Sequence, residues 1–216
     1  MNRKELVKLS ASSLGSALEC PACFWRDYNF PLRIHLPGVL NRMDKIEKDY
    51  YDRYRNKIPP ILKSKLKEKL VDIKTVLKLR TGIKYFDKKL NAILSGKMDD
   101  CFIDSKNRLV VMDNKTASPD SEEFLHVYHM QLNVYAFLLQ KNGFKTMDHG
   151  YLVFYTAEKG DPQKGVIFKV TVKKLKLHPQ KALKVFRYAV SLVRRPRQPK
   201  SHKDCETCQW LRGLGE

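Results

Sequence analysis

Gly96-Lys-Met-Asp99-Asp100-Cys-Phe-Ile-Asp104-Ser-Lys-Asn107-Arg-Leu109-Val-Val-Met-Asp113-Asn114-Lys115-Thr116 is the stretch that decides the fold. It reads as a glycine turn, a strand, a polar turn around Asn107 and a second strand. Residues i and i+2 of a strand point to one face, so Asp113 and Lys115 stand side by side. Asp99 arrives on the neighbouring strand. Two carboxylates, Asp99 and Asp113, are oxygen ligands suited to Mg²⁺ or Mn²⁺. A lysine beside them orients a water or stabilises developing negative charge. That chemistry suits cleavage of a phosphodiester bond. Asp100 and Asp104 read as acids solvated in or near a turn. Asp113 reads differently, because it follows the apolar run Leu109-Val-Val-Met112.

The 216 residues suffice for one domain or a domain with a small appendage, and 43% hydrophobic content supports a core. Lys and Arg number 42 against 23 Asp and Glu, a net charge of +19. A net charge of about 2–8 is enough for solubility in a small domain, so this excess points to a polyanionic partner, most often nucleic acid. The basic residues are spread through the chain, which disfavours a membrane surface. No apolar run reaches transmembrane length, and the first residues lack a signal-peptide apolar region, so the expectation is a cytoplasmic protein. Thiols stay reduced there, and the five cysteines read as ligands or core residues rather than disulfides.

Outward from the hairpin, the N-terminal side carries a helix cap at Ser10-Ala-Ser-Ser-Leu14 and a short helix running into Cys20-Pro21-Ala-Cys23. Leu40, Met43, Ile46, Tyr50, Tyr51 and Tyr54 follow helical spacing with their apolar side inward. Residues 61–79 read as a basic helix at first, and 83–95 as a single strand before Gly96. On the C-terminal side, Ser118 to Glu123 reads as a helix start. That helix runs to about Lys141 and closes at Gly143. Phe124, Val127, Tyr128, Gln131, Tyr135, Leu138 and Leu139 are assigned to one face, with Gln131 and Tyr135 stacked at i and i+4. Short strands follow at 151–155 and 166–172, then a helix from Pro179 to Val193. A basic, proline-rich linker leads to Cys205-Glu-Thr-Cys208.

Two CxxC pairs at opposite ends of the chain, Cys20/Cys23 and Cys205/Cys208, predict four thiolates at one centre. Tetrahedral sulfur suits Zn²⁺ or an iron–sulfur cluster. Cys101 reads as a core residue. His126 and His129 read as surface or packing residues, and His35, ahead of the early helix, stays open as a candidate. No GxxxxGK[ST] phosphate loop is present, so motor activity is not expected.

Taken together, these residues resemble the PD-(D/E)XK nuclease superfamily in its RecB-like branch, which includes the AddB nuclease domain and CRISPR-associated RecB-like exonucleases. Gly96-Lys-Met-Asp99 resembles the GxxD motif of that branch. Val111-Met-Asp113-Asn114-Lys115-Thr116 is similar to its DxK motif, Gln131-Leu-Asn-Val-Tyr135 to its QxxxY motif, and Ser10 to Leu14 with Cys20 to the start of its iron–sulfur members. The resemblance spans nearly the whole chain. It implies an α/β fold, a restriction-endonuclease-like mixed β-sheet flanked by helices, with a four-cysteine centre joining the chain ends. It also implies one domain over 1–216: a helical N-terminal part (1–80), a catalytic core (81–195) and a C-terminal cysteine segment (196–216).

The activity it implies is a metal-dependent DNA nuclease, an exonuclease or single-strand-directed enzyme of repair, recombination or defence. Its partners would be single-stranded DNA or duplex ends, with a helicase or other repair or defence protein. Asp99, Asp113 and Lys115 would be catalytic, and Gln131 and Tyr135 would bind substrate. Mg²⁺ or Mn²⁺ would be held by Asp99, Asp113, the backbone carbonyl of Asn114 and Asp44. A 4Fe–4S cluster or Zn²⁺ would sit at Cys20, Cys23, Cys205 and Cys208. Three departures stand out. The early helix lacks the family's metal-binding histidine, and Asp44 or Lys48 occupies its place. No clear glutamate marks the first strand. Leu214 stands where a last cysteine is expected, which Cys23 replaces. The alternative is a non-catalytic nucleic-acid-binding module that retains the fold and the four-cysteine centre.

Overall fold

The structure is a computed structural model that describes residues 5–31, 38–116, 125–161 and 163–213. In chain order the elements are β1 (Val7–Ser10), α1 (Ser13–Glu19), α2 (Pro21–Asn29), α3 (Gly38–Asp52), a 3-10 turn at Pro60–Leu62, β2 (Lys69–Leu70) and α4 (Ile73–Thr81). Then come β3 (Ile83–Asp87), β4 (Ala92–Gly96), β5 (Asp100–Ile103), β6 (Leu109–Thr116), α5 (Leu125–Lys141), β7 (His149–Asp161), β8 (Gly165–Lys176), α6 (Pro179–Val193) and α7 (Glu206–Gly213).

Strand β6 is the axis of the larger sheet, whose order is β2-β5-β6-β7-β8. It pairs antiparallel with β5, Asp100 opposite Met112, and parallel with β7, Asp113 opposite Leu152. A parallel partner requires a long crossover, and α5 provides it. The smaller sheet, β1-β4-β3, joins β1 parallel to β4 and folds β3 back on β4. Both faces of the large sheet are covered. Cys101, Leu109, Val111, Leu152 and Phe154 pack toward α5, α6 and the small sheet. Phe102, Val110, Met112, Tyr151 and Val153 pack on the other side with Tyr51, Leu62, Leu66 and Leu70. Burial on both faces explains the unbroken apolar run of β6. The result is a mixed α/β fold of the restriction-endonuclease-like kind, with helices on both sides of a mixed sheet.

Several local expectations change in three dimensions. The single strand expected at 83–95 is a hairpin, because Asn91 takes a left-handed backbone (φ 40°) and Asp87 Oδ1 accepts from the Leu90 N–H at 3.2 Å. Residues 61–79 do not begin as a helix. The helix starts later, at Ile73, where the Asp72 side chain caps the Thr75 N–H at 2.9 Å. On α3, Leu40 and Ile46 face solvent, and Glu47 and Tyr51 form its buried line. Helix α5 has no single apolar face: Leu132 to Leu139 are all buried, because the helix lies between the large sheet and α1 and α6. Ser10 ends β1 rather than opening a helix, although its Oγ still accepts the Ser13 N–H at 3.3 Å. The acid Asp100 is not solvated; it is buried against Arg55 and Arg80. Asp104 organises the β5–β6 turn by accepting from the Lys106 and Arg108 backbones at 2.9 and 2.8 Å.

His126 is mostly exposed and His129 bonds the Lys176 carbonyl at 2.7 Å, while Cys101 is fully buried. The expected start of α5 at Ser118–Glu123, Phe124, His35 and Leu214 lie outside the described residues. Among the described residues, no helix is long and apolar enough to cross a membrane.

Candidate active site and cysteine centre

The C-terminal end of β6 carries the site. Alternation sends Leu109, Val111, Asp113 and Lys115 toward α5, and Val110, Met112 and Thr116 toward α3. The Lys115 ammonium pairs with Asp113 Oδ2 and donates to Gln131 Oε1 at 3.2 Å. It also lies 4.6 Å from the centroid of the Tyr128 ring. The Gln131 amide nitrogen donates to the Tyr135 hydroxyl at 2.7 Å and reaches Asp113 Oδ1 at 3.4 Å. One amide therefore fixes the lysine, the aspartate and the tyrosine together.

Helix α5 can approach this closely because of Gly96. A Cβ there would meet Leu138 Cδ1 at 2.9 Å and Tyr135 Cε1 at 3.0 Å. This last residue of β4 thus seats the tyrosine beside the end of β6. Asp113 is 4% exposed and forms the floor of the site, whereas the Asp99 side chain is 33% exposed at its rim. Burial raises the pKa of Asp113, the nearby Lys115 opposes this, and the Asp99 charge adds to the rise. Burial also raises the Tyr135 pKa, with Asp113 and Asp99 adding to it, so the hydroxyl stays protonated.

Asp99 is held from two sides. Its carbonyl accepts from Arg80 Nε at 2.9 Å, and its carboxylate pairs with Lys48 at 2.9 Å. Lys48 also pairs with Asp44 at 2.7 Å. Asp44 therefore reaches Asp99 through an ammonium. Asn114 lies between Asp113 and Lys115, opposite Val153 of β7, and its side-chain oxygen is buried without a hydrogen-bond partner.

The four cysteines from the chain ends meet between α2 and α7. Cys20 and Cys208 Sγ lie 3.7 Å apart, Cys23 and Cys205 3.5 Å, and Cys23 and Cys208 3.4 Å. All four sulfurs fall within 4.8 Å of one another, and among the described residues no other group of three or more His, Cys, Asp or Glu side chains does so. Burial pushes the Cys20 thiol up, but the Cys23 and His202 backbones and the neighbouring thiols outweigh it and bring it down to about 7. Burial and the same crowding push Cys23 up. Arg26 donates to Cys23 Sγ at 3.2 Å and the His202 N–H to Cys20 Sγ at 3.4 Å, so sulfur charge already has donors around it.

A family model of the PD-(D/E)XK nuclease superfamily matches residues 41–212. The chain belongs to the PD-(D/E)XK nuclease superfamily. It is accordingly a member of a superfamily of nucleases, whose substrates are nucleic acids. Its fold is also similar to a solved structure titled "Crystal structure of SSO0001", with a TM-score of 0.51 and 14% identity over 96% of this chain and 86% of that one. No curated protein matches the sequence significantly.

This PD-(D/E)XK chain has one further acid at its site. Glu47, on α3, is 6% exposed and accepts from the Thr116 hydroxyl at 3.3 Å. Burial lifts its pKa from an ordinary 4.5 to about 7, and the Asp44 and Asp99 carboxylates add to that rise. The signal was present in the sequence: Met43, Glu47 and Tyr51 are spaced i, i+4, i+8, so an acid interrupts an inward helical line. Arg80 carried no such signal. Its role depends on where α4 lies against the Asp99 turn.

Proposed function

We propose that the chain is a metal-dependent DNA nuclease of the RecB-like branch, directed to single strands or strand ends, and that it works in the cytoplasm. The observation that carries this reading is the coupled set Asp113–Lys115–Gln131–Tyr135, with Asp99 at its rim. Its donor set suits a hard cation. Three acids, Asp99, Asp113 and Glu47, are linked through Asp99, whose charge raises the pKa of the other two. The buried Asp113 Oδ2 has the Lys115 charge beside it but no well-formed hydrogen bond. Such oxygens suit Mg²⁺ or Mn²⁺. Asp99 and Asp113 would hold the ion, with the Asn114 carbonyl and Glu47 or Asp44 completing the set.

Bound metal would supply Lewis acidity at the phosphoryl group. Lys115 would position the attacking water and stabilise the charge that builds on phosphorus-bound oxygen. Gln131 would hold the Lys115 ammonium in that position, and Tyr135 would hold Gln131 and contact the substrate.

The four thiols fit a structural metal. The edge of a tetrahedron with Zn–S bonds of about 2.3 Å is about 3.8 Å. Three of the separations, 3.4–3.7 Å, are close to this edge and all lie within 4.8 Å, which favours a single Zn²⁺. A four-iron cluster would require sulfurs spaced around a larger body. Such a centre would tie the chain ends together.

The test is hydrolysis of labelled single- and double-stranded DNA with Mn²⁺ or Mg²⁺, comparing wild type with Lys115→Ala. Hydrolysis by wild type alone is expected. Equal behaviour of the two proteins would instead favour the non-catalytic binding module. Absorption spectra and metal analysis of anaerobically purified protein distinguish zinc, which is colourless, from a brown iron–sulfur protein.

A further inference from the structure

The end of β4 at Gly96 has a second concave side. Behind the Tyr135 ring lies a cleft of about 390 Å³, lined chiefly by Ser12, Thr81, Lys84, Ser95, Lys97 and Tyr135. No acidic side chain lines it. This contrasts with the site itself, where each lysine is paired with a carboxylate. Lys84 is exposed on β3 and Lys97 is exposed just past the end of β4, where Gly96 pairs with Ile83. The Lys97 stem lies along Gly82. A Cβ there would meet Lys97 Cγ at 3.3 Å, and φ of +105° makes any side chain at that position strained. The glycine thus leaves a channel for the lysine stem.

Hydroxyl groups complete the lining. Ser10 and Ser12 Oγ lie 3.0 Å apart, and Ser95 Oγ donates to the Leu9 carbonyl at 3.3 Å. Thr81 Oγ1 likewise donates to the Lys78 carbonyl at 2.8 Å, so the donors left for an oxyanion are the Lys84 and Lys97 ammonium groups and one proton of the Ser10–Ser12 pair, with no competing acid. The cleft is not separate from the chemistry, because the Tyr135 ring and Gly96 border it while the Tyr135 hydroxyl faces Gln131.

We propose that this cleft binds a phosphate of the nucleic-acid strand adjoining the phosphate that reacts. The inference rests on the nucleic-acid reading above and adds a second anchor to it. The anchor would fix the strand on the far side of Tyr135 and set which bond reaches Lys115. The phosphate is either an internal phosphodiester or a terminal monophosphate; the donors suit both.

The experiment measures binding of internally labelled single strands by fluorescence anisotropy, in chelator and over a range of salt. Strands with a 5′-phosphate, a 3′-phosphate or neither are compared. The variants are Lys84→Ala/Lys97→Ala and a charge-matched control, Lys88→Ala/Lys89→Ala, on exposed lysines of the β3–β4 turn. Each phosphate contact on a single strand contributes about 0.7 to the slope of log affinity against log salt. The cleft variant, which loses one phosphate contact, should therefore lose about 0.7 from that slope, and the control markedly less. Loss on every strand identifies an internal phosphodiester. Loss confined to one phosphorylated end identifies a terminal group. An unchanged slope, or equal loss in the control, overturns the proposal. Hydrolysis by wild type is scored separately, so an enzyme that cleaves with an idle cleft refutes only the cleft. A protein that binds through the cleft without cleaving refutes only the nuclease reading.

Discussion

Asp99 and Asp100 are neighbours in sequence and opposites in setting. Asp100 is 1% exposed and held by the Arg55 guanidinium, with Arg80 3.7 Å away. Asp52 completes that network by bridging both arginines at 2.7 and 2.8 Å. The Asp99 carboxylate points to the rim and pairs with Lys48. Asp113 likewise faces a lysine, Lys115. An arginine fork makes a fixed, bidentate partner, whereas an ammonium is a point charge on a flexible stem that a metal ion or a phosphate can displace. The arginine network therefore reads as scaffold and the lysine pairs as working parts. Arg80 links them, since its Nε fixes the Asp99 carbonyl while its other nitrogens bind Asp52.

The largest effect should come from breaking the scaffold side. Asp100→Ala removes the more deeply buried of the two carboxylates that pair with Arg55, and loss of one partner of a buried pair costs about 3–5 kcal/mol. For a chain of this size that corresponds to a fall in Tm of roughly 6–20 °C. Thermal unfolding followed by circular dichroism measures it. A fall of only a degree or two would show that Asp100 is no more structural than Asp99.

On the working side, Lys115→Ala should do the reverse. Loss of a group that stabilises transition-state charge lowers turnover by about 10²–10³-fold. Its partner Asp113 can take up a proton, because burial already raises its pKa, so Tm should move little. Single-turnover hydrolysis beside a melting curve separates the two readouts. A variant that melts early and cleaves normally would place Lys115 with the arginines.

The contrast also explains what the sequence could reveal. Asp113 and Lys115 are linked by the strand period, and Gln131 and Tyr135 by the helical one, so each pair was legible alone. Meeting of the pairs requires only that α5 cross from β6 to β7. The clasp of Cys20, Cys23, Cys205 and Cys208 was legible from ligand spacing, even though it joins opposite chain ends. Asp100 was misjudged because its burial depends on Arg55, 45 positions away. The hairpin at 83–95 was missed because Asn91 turns the chain without a glycine or proline. Glu47 stood in an inward line, but its meaning required Thr116 at the C-terminal end of the central strand β6, 69 positions away.

Glu47 offers a milder test, through pH. Its folded pKa of about 7 stands above the ordinary 4.5, so the folded state holds the proton more tightly than the unfolded chain. The stability linked to it is present below pH 4.5 and is lost as pH rises through 7. Glu47→Gln should match wild type at pH 4.5 and exceed it at pH 8 by about 1–3 kcal/mol without metal. If Glu47 faces the metal, Mn²⁺ at pH 8 should stabilise wild type more than the Gln variant. Denaturant midpoints with and without Mn²⁺ decide this. Identical pH profiles would remove Glu47 from the working acids.

The smallest effect belongs to Lys48, and it tests the idea of a displaceable lysine most directly. Its pairs with Asp99 and Asp44 are partly exposed, with side chains 28%, 33% and 50% accessible in turn. Exposed pairs are worth about 0.2–1 kcal/mol, so Lys48→Ala should alter stability by no more than that. The ammonium also competes with metal for Asp99. Its removal should tighten Mn²⁺ binding by about 2- to 5-fold, the equivalent of the same energy. Lys48→Arg should weaken Mn²⁺ binding instead, because a fork engages both acids and yields less readily. Calorimetric titration of the three proteins with Mn²⁺ gives the order expected for a displaceable lysine: Ala tightest, Lys intermediate, Arg weakest. If Ala binds Mn²⁺ more weakly than wild type, Lys48 organises the metal site rather than guarding it, and the division between arginine scaffold and lysine working parts fails at its most exposed member.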